Sequence, residues 1–169
     1  MSVGAERILH TIPPVFDENS RVLILGTMPS PKSREVGFYY GHPQNRFWRV
    51  LAEVFGEPIP VSVEERRAFA LRNRIALWDV LQSCTIVGAS DASIRNAVPN
   101  PIGELIRSGG IRAVFTTGKT AGELYRKFCL RETGMEAIVL PSTSPANCRV
   151  SLEQLKEEYR KIYEQLQEK

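Results

Sequence analysis

The residues best equipped for chemistry cluster in one early segment, Gly26-Thr-Met-Pro-Ser-Pro-Lys-Ser33 followed by Tyr39-Tyr-Gly-His-Pro-Gln-Asn-Arg-Phe-Trp48. Asn45 is an uncharged amide that can fix a water or a planar ligand by geometry, contributing orientation instead of proton abstraction. Tyr39 and Tyr40 offer flat faces for stacking a base, and His42 offers a ring nitrogen. Each has a plainer reading. Asn45 stands directly before Arg46-Phe-Trp-Arg, where it serves equally well as a helix N-cap. His42 before Pro43 could brace the loop, and the aromatics could plug the core beneath it. The first half differs from a phosphate-binding G-x-x-x-x-G-K-[ST] loop only by Pro31 at the second glycine. Prolines at 29 and 31 nevertheless remove two backbone donors that such a loop needs, so a nucleoside-triphosphate site is disfavoured. Lys32 is then a surface cation or a phosphodiester contact.

Two further segments carry hydroxyls beside helix starts. In Pro141-Ser-Thr-Ser-Pro-Ala-Asn147, Ser142, Thr143 and Ser144 suit phosphate oxygens, or else form an ordinary Ser/Pro turn. Thr116, Thr117, Gly118 and Lys119 could equally be a plain strand-to-helix turn or a backbone anchor for DNA.

The elements that position these groups alternate. Val22-Leu-Ile-Leu25 is a buried strand, and Phe47, Val50, Leu51, Val54 and Phe55 recur at helical spacing. The connection between them runs about twenty residues, long enough to point to function. Ser62-Val-Glu-Glu65 is a capping-box signature opening a helix to about Arg74. Ile75 to Leu81 reads as a second strand, and Gln82 to Pro101 as a second long loop. A short helix over 102–107, a strand over 111–117, a helix over 119–130 and a strand over 136–140 follow. Pro141 to Arg149 is a third loop, and a last helix begins at Ser151 with Leu152, Leu155, Tyr159, Ile162 and Leu166 on one face. This alternation predicts a three-layer α/β/α fold around a four-stranded, mostly parallel sheet, with three loops sharing one rim as a cleft. No repeat or linker divides residues 1–169, so one domain is expected.

Composition narrows the class. With 43% hydrophobic and 24% charged residues and a formal charge of +3, the chain is ordinary globular material, mildly basic, compatible with a phosphate-bearing partner. Three scattered cysteines without C-x-x-C spacing argue against a disulfide framework, zinc site or iron–sulfur cluster. No signal pattern or membrane-length apolar run is present, so a soluble cytoplasmic protein without membrane association is expected, with a monomer as the simplest state.

The string Tyr40-Gly-His-Pro-Gln-Asn-Arg-Phe-Trp48 resembles the aromatic-x-His-Pro-x-Asn-x-Phe-Trp run of mismatch-specific glycosylases, and the whole layout resembles the uracil-DNA glycosylase superfamily. Where those relatives carry a catalytic Asn in Gly-Ile-Asn-Pro-Gly, this chain has Gly26-Thr-Met-Pro-Ser30, with Met28 at that position. The apolar residue there, together with Pro-Ser-Thr-Ser-Pro-Ala at 141–146, is similar to the hypoxanthine-DNA (deoxyinosine) glycosylase branch.

That resemblance implies a monofunctional DNA glycosylase without metal or organic cofactor. It would act on double-stranded DNA containing a deaminated base, with Asn45 as the catalytic side chain. Thr27, Met28, Pro29, Ser30, Tyr39, Tyr40 and His42 would wall the base pocket. Lys32, Lys119, Ser142, Thr143, Ser144 and Arg149 would meet DNA, and Ala146 or Asn147 would fill the vacated stack. Alternatives are a uracil-directed enzyme of the same fold, a non-catalytic DNA-binding relative and, last, a nucleotide-phosphate enzyme using Lys32.

Overall fold

A computed structural model describes residues 4–88 and 90–167. Its centre is a parallel sheet of four strands, β2 (Val22–Gly26), β3 (Ile75–Asp79), β6 (Ala113–Thr117) and β7 (Ala137–Leu140), in the spatial order β3-β2-β6-β7. Every residue of β2 is buried, as a strand covered on both faces requires. Its side chains alternate between two cores: Val22 and Ile24 join Ile75, Leu77 and Phe115, while Leu23 and Leu25 join Ala76 and Val114.

The first core is closed by α2 (Phe47–Phe55), α3 (Val63–Arg72) and α7 (Leu152–Gln167). Leu155, Tyr159, Ile162 and Leu166 form the buried stripe of α7 as their spacing predicts. The capping box of α3 is present with both reciprocal bonds, Glu65 N to Ser62 Oγ at 3.0 Å and Ser62 N to Glu65 Oε1 at 3.1 Å. Ser151 and Gln154 repeat it before α7. The second core lies beneath α4 (Ile102–Arg107), α5 (Lys119–Phe128) and α6 (Leu130–Thr133).

Two expectations need correction. The segment 82–101 is not one long loop: β4 (Leu81–Ile86) and β5 (Arg95–Pro99) join β1 (Glu6–Leu9) in a separate antiparallel sheet of order β1-β4-β5. The strand expected over 75–81 therefore ends at Asp79 and restarts at Leu81 in the second sheet. The long connection after β2 also holds a short helix, α1 (Pro31–Val36), with Ser30 as N-cap, Pro31 at its start and Gly37 closing it at φ 81°. Proline tolerates the first helical turn, where its missing N–H has no intrahelical role, and glycine adopts the left-handed cap at little cost.

Residue Gly26 ends β2 and Thr117 ends β6, so the strand order reverses between neighbouring strands whose carboxyl ends open to the same side. That crevice is where open α/β sheets place ligands. No helix among the described residues is long and apolar enough to cross a membrane.

Two measurements check this arrangement. Replacing Ser62 with Ala should lower stability by about 1 kcal/mol, read as a denaturation-midpoint shift without a change of slope. Cys84 and Cys129 are buried and Cys148 is exposed; burial pushes the Cys84 thiol up and the Cys129 thiol up to about 11. A thiol reagent at pH 8 should therefore react promptly with Cys148 alone, and with all three after unfolding.

Candidate active site

A cleft of about 1240 Å³ opens at the switch point and is walled by all three loops. Gly26 to Glu35 form one wall, Tyr39, Tyr40, His42 and Asn45 the next, and Thr117 to Lys119 with Val139 to Asn147 the third. The segment 82–101 contributes only Ile86, Gly88, Ser90 and Asp91 among the described residues, because most of it is committed to the antiparallel sheet.

The N-cap of α2 expected at Asn45 falls instead on Arg46, which makes no side-chain cap bond; Asn45 reaches the helix start from one residue further out. Its Oδ1 accepts the Phe47 backbone N–H at 2.9 Å, at the entry to α2, and accepts the Thr143 hydroxyl at 2.8 Å. A backbone N–H can only donate, so the atom it meets must be the amide oxygen. The side chain is thus locked in one orientation, and Asn45 Nδ2 has no protein partner among the described residues, leaving two N–H donors at a cleft-lining position. Arg46 strengthens the same junction: its N–H donates to Thr143 O, and its guanidinium to Val150 O at 2.6 Å and Asn147 O at 3.0 Å.

Thr143 is 1% exposed. The expectation that it contacts DNA is therefore corrected: its hydroxyl is spent on Asn45. Ser142 Oγ accepts from Ser144 N, and Ser144 Oγ from Ala146 N, so these hydroxyls shape the turn. Asn147 Nδ2 donates to Ser142 O, which ties that side chain into the loop, whereas Ala146 and Arg149 are exposed. Tyr159 Oη donates to Pro141 O at 2.6 Å and anchors the loop to α7.

The two tyrosines differ. Tyr39 is buried with its hydroxyl donated to the Ile12 and Pro13 carbonyls, while Trp48 Nε1 donates to its carbonyl. It braces the cleft from behind and offers no free hydroxyl. Tyr40 stands at φ 53°, its ring stacked on Phe47 at 3.7 Å and its hydroxyl 3.1 Å from Thr117 Oγ1. One ring face is therefore occupied, and only the other can meet a ligand. Burial, and secondarily the Asp79 carboxylate, push both phenols far above their ordinary range, so both stay protonated at any working pH.

His42 Nδ1 accepts from Gln44 N, the loop-bracing role, while the ring still lines the cleft. Thr27 and Pro29 are buried and Met28 is half-buried against the second core. Ser30 Oγ accepts from Ser33 N as helix cap. Lys32 pairs with Glu35 at 3.3 Å and is partly exposed, and Lys119, largely in water, lies 4.0 Å from Glu123; both line the cleft. Among the described residues no group of three or more His, Cys, Asp and Glu side chains could hold a metal ion.

Sequence reasoning passed over Asp79 and His10. Asp79 ends β3, is 4% exposed, lines the cleft, and its Oδ2 is 2.8 Å from His10 Nε2. A Cβ on Gly26 would sit 2.5 Å from Asp79 Oδ1, so glycine there makes room for the carboxylate. The available signal was an acidic residue closing an apolar strand at the ligand-facing rim.

The sequence and the fold have known counterparts. Residues 13–167 match the family model described as the uracil DNA glycosylase superfamily. A hypoxanthine DNA glycosylase of Methanosarcina barkeri is 40% identical over 139 residues, covering 81% of this chain and 87% of that protein. Its counterpart in Methanosarcina acetivorans is 38% identical over 146 residues, covering 85% and 91%. The solution NMR structure of a candidate uracil DNA glycosylase from Methanosarcina acetivorans superposes with a TM-score of 0.80 at 35% identity, over 94% of this chain and 98% of that one. The chain belongs to the uracil DNA glycosylase superfamily.

Proposed function

We propose that this protein is a monofunctional DNA glycosylase that removes hypoxanthine from deoxyinosine in duplex DNA and leaves an abasic site. The observation that carries the reading is the orientation of Asn45: its oxygen is held by Phe47 N and Thr143 Oγ1, and its NH2 is left for a ligand. The names borne by the two Methanosarcina relatives support the choice of base.

A base inside the duplex cannot reach such a cleft, so the nucleotide rotates out, at a cost of a few kcal/mol that falls for a mispaired base. Tyr40, backed by Phe47, supplies the flat wall. The bond between C1′ and N9 then breaks, its electron pair passing to the base, while a water oxygen bonds C1′ and the water's proton ends on the departing base. Negative charge grows on the purine as the bond lengthens. Asn45 donates to an acceptor on the base edge and stabilises that charge with donors fixed before the reaction begins. Of the two roles open to Asn45, fixing a water or the base, holding the base is favoured, because the oxygen that would accept from a water is already taken by two donors.

Ala146, exposed at the tip of the third loop, is the better placed of the two stack-filling residues, because Asn147 is tied back to Ser142 O. Lys32, Lys119 and Arg149 would meet phosphates and set a salt dependence. Neither cleft lysine is desolvated as a Schiff-base nucleophile would need to be.

Oligonucleotide duplexes carrying deoxyinosine, deoxyuridine or deoxyxanthosine, incubated with the protein and cleaved with alkali, test the assignment. Deoxyinosine should be processed fastest; excision of uracil alone contradicts it. Asn45→Ala should lower the single-turnover rate by about 100-fold or more while DNA affinity changes little. Thr143→Val, which keeps the shape and frees the amide to rotate, should lower the rate by about 10-fold and cost about 1 kcal/mol of stability.

A further inference from the structure

The buried Asp79 carboxylate has no role in the chemistry above. Its Oδ2 is paired with His10 Nε2 at 2.8 Å, with the two side chains 6% and 2% exposed respectively. Its Oδ1 has no protein hydrogen-bond partner among the described residues, although an ionised carboxylate accepts up to about four bonds. It is nonetheless one of the groups that line the cleft. The point 2.5 Å from this oxygen, where a Gly26 Cβ would lie, is 3.5 Å from Tyr40 Oη and 3.6 Å from Thr117 Oγ1, so the carboxylate sits at the foot of the Tyr40 wall. Although the side chain is largely buried, Oδ1 itself is not sealed from solvent, so this oxygen opens to the cleft, where a ligand's donor can reach it.

We propose that Asp79 is the specificity-determining acceptor for the N1–H of the extruded base, and that His10 positions it. The inference rests on the glycosylase reading and deepens it. Hypoxanthine presents an acceptor, O6, beside a donor, N1–H. The cleft presents the complement: donors from Asn45, locked by Phe47 and Thr143, and an acceptor from Asp79, locked by His10. Adenine reverses both atoms, placing an NH2 where O6 was and a lone pair where N1–H was. Donor would then face donor and acceptor face acceptor, and neither protein group can turn to accommodate the change. Sites that leave buried polar groups unpaired with the wrong ligand discriminate far more strongly than apolar pockets. Normal adenine nucleotides would thereby be spared by the same pair that selects their deaminated product.

The test compares single-turnover excision of deoxyinosine and of N1-methyldeoxyinosine, which lacks only the N1 proton and carries a methyl in its place. The wild-type protein should prefer deoxyinosine by at least about 100-fold. Asp79→Ala should remove hypoxanthine slowly and shrink that preference to a few fold, because the methyl finds both space and no acceptor to strand. Asp79→Asn, nearly the same shape and able to accept from His10, serves should the alanine variant fail to fold, and should shrink the preference likewise. His10→Ala should weaken the preference and His10→Gln, which keeps a donor, should restore part of it. A wild-type protein indifferent to the N1 methyl, or Asp79 variants that keep the full preference, would overturn the assignment while leaving the glycosylase reading intact. A wild-type protein inactive on every deaminated base would overturn that reading and this inference together.

Discussion

The site depends on the hydrogen bond from the Thr143 hydroxyl to Asn45 Oδ1. It joins two segments almost a hundred residues apart, and with the Arg46 bonds to the carbonyls of Thr143, Asn147 and Val150 it fastens the third rim loop onto the entry of α2. An exposed amide flips freely between donor and acceptor faces. One clamped by a backbone N–H and a buried hydroxyl cannot, and its NH2 becomes a fixed feature of the cleft. Fixed donors are worth more to a transition state than mobile ones, because no reorganisation is needed when charge develops.

The surrounding architecture explains how so small a clamp is held. The core under α2 packs Phe47 and Trp48 edge to face, with Tyr159 edge on to Phe47, and Tyr159 in turn grips Pro141 O at the loop's root. Tyr40 therefore stacks on a ring that is itself fully buried. Helix, loop and aromatic wall are packed and hydrogen-bonded to one another, which places the candidate site on packed elements instead of on a free loop.

Much of this was legible in the residues. Alternating apolar strands and capped helices specify the parallel sheet and its rim, and the two capping boxes, Ser62 to Glu65 and Ser151 to Gln154, appear as read. The bond from Phe47 N to Asn45 Oδ1 was legible locally, although the N-cap position itself falls on Arg46. What escaped depends on partners distant in the chain. Arg95-Asn-Ala-Val-Pro99 has the composition of a turn and is a strand only because it pairs with β4, itself paired with β1. Ser30-Pro31 carries a cap-and-proline helix start, but the six residues of α1 bury only Ser33 and so show no apolar period to mark a helix. Thr143 reads as a phosphate contact in any Ser/Thr-rich turn; its burial follows from how the loop docks. Asp79 was concealed by an apolar run that continues past it to Leu81, across the boundary between two sheets.

The most direct test of the central claim is a structure of the protein bound to duplex DNA containing a 2′-fluoro-substituted deoxyinosine, in which the glycosidic bond is slow to break. The account predicts an extruded hypoxanthine against Tyr40 with Asn45 Nδ2 donating to its edge and Thr143 still bonded to Asn45 Oδ1. A base held in the cleft with Asn45 out of hydrogen-bond reach, or with the amide turned to present its oxygen, would contradict it.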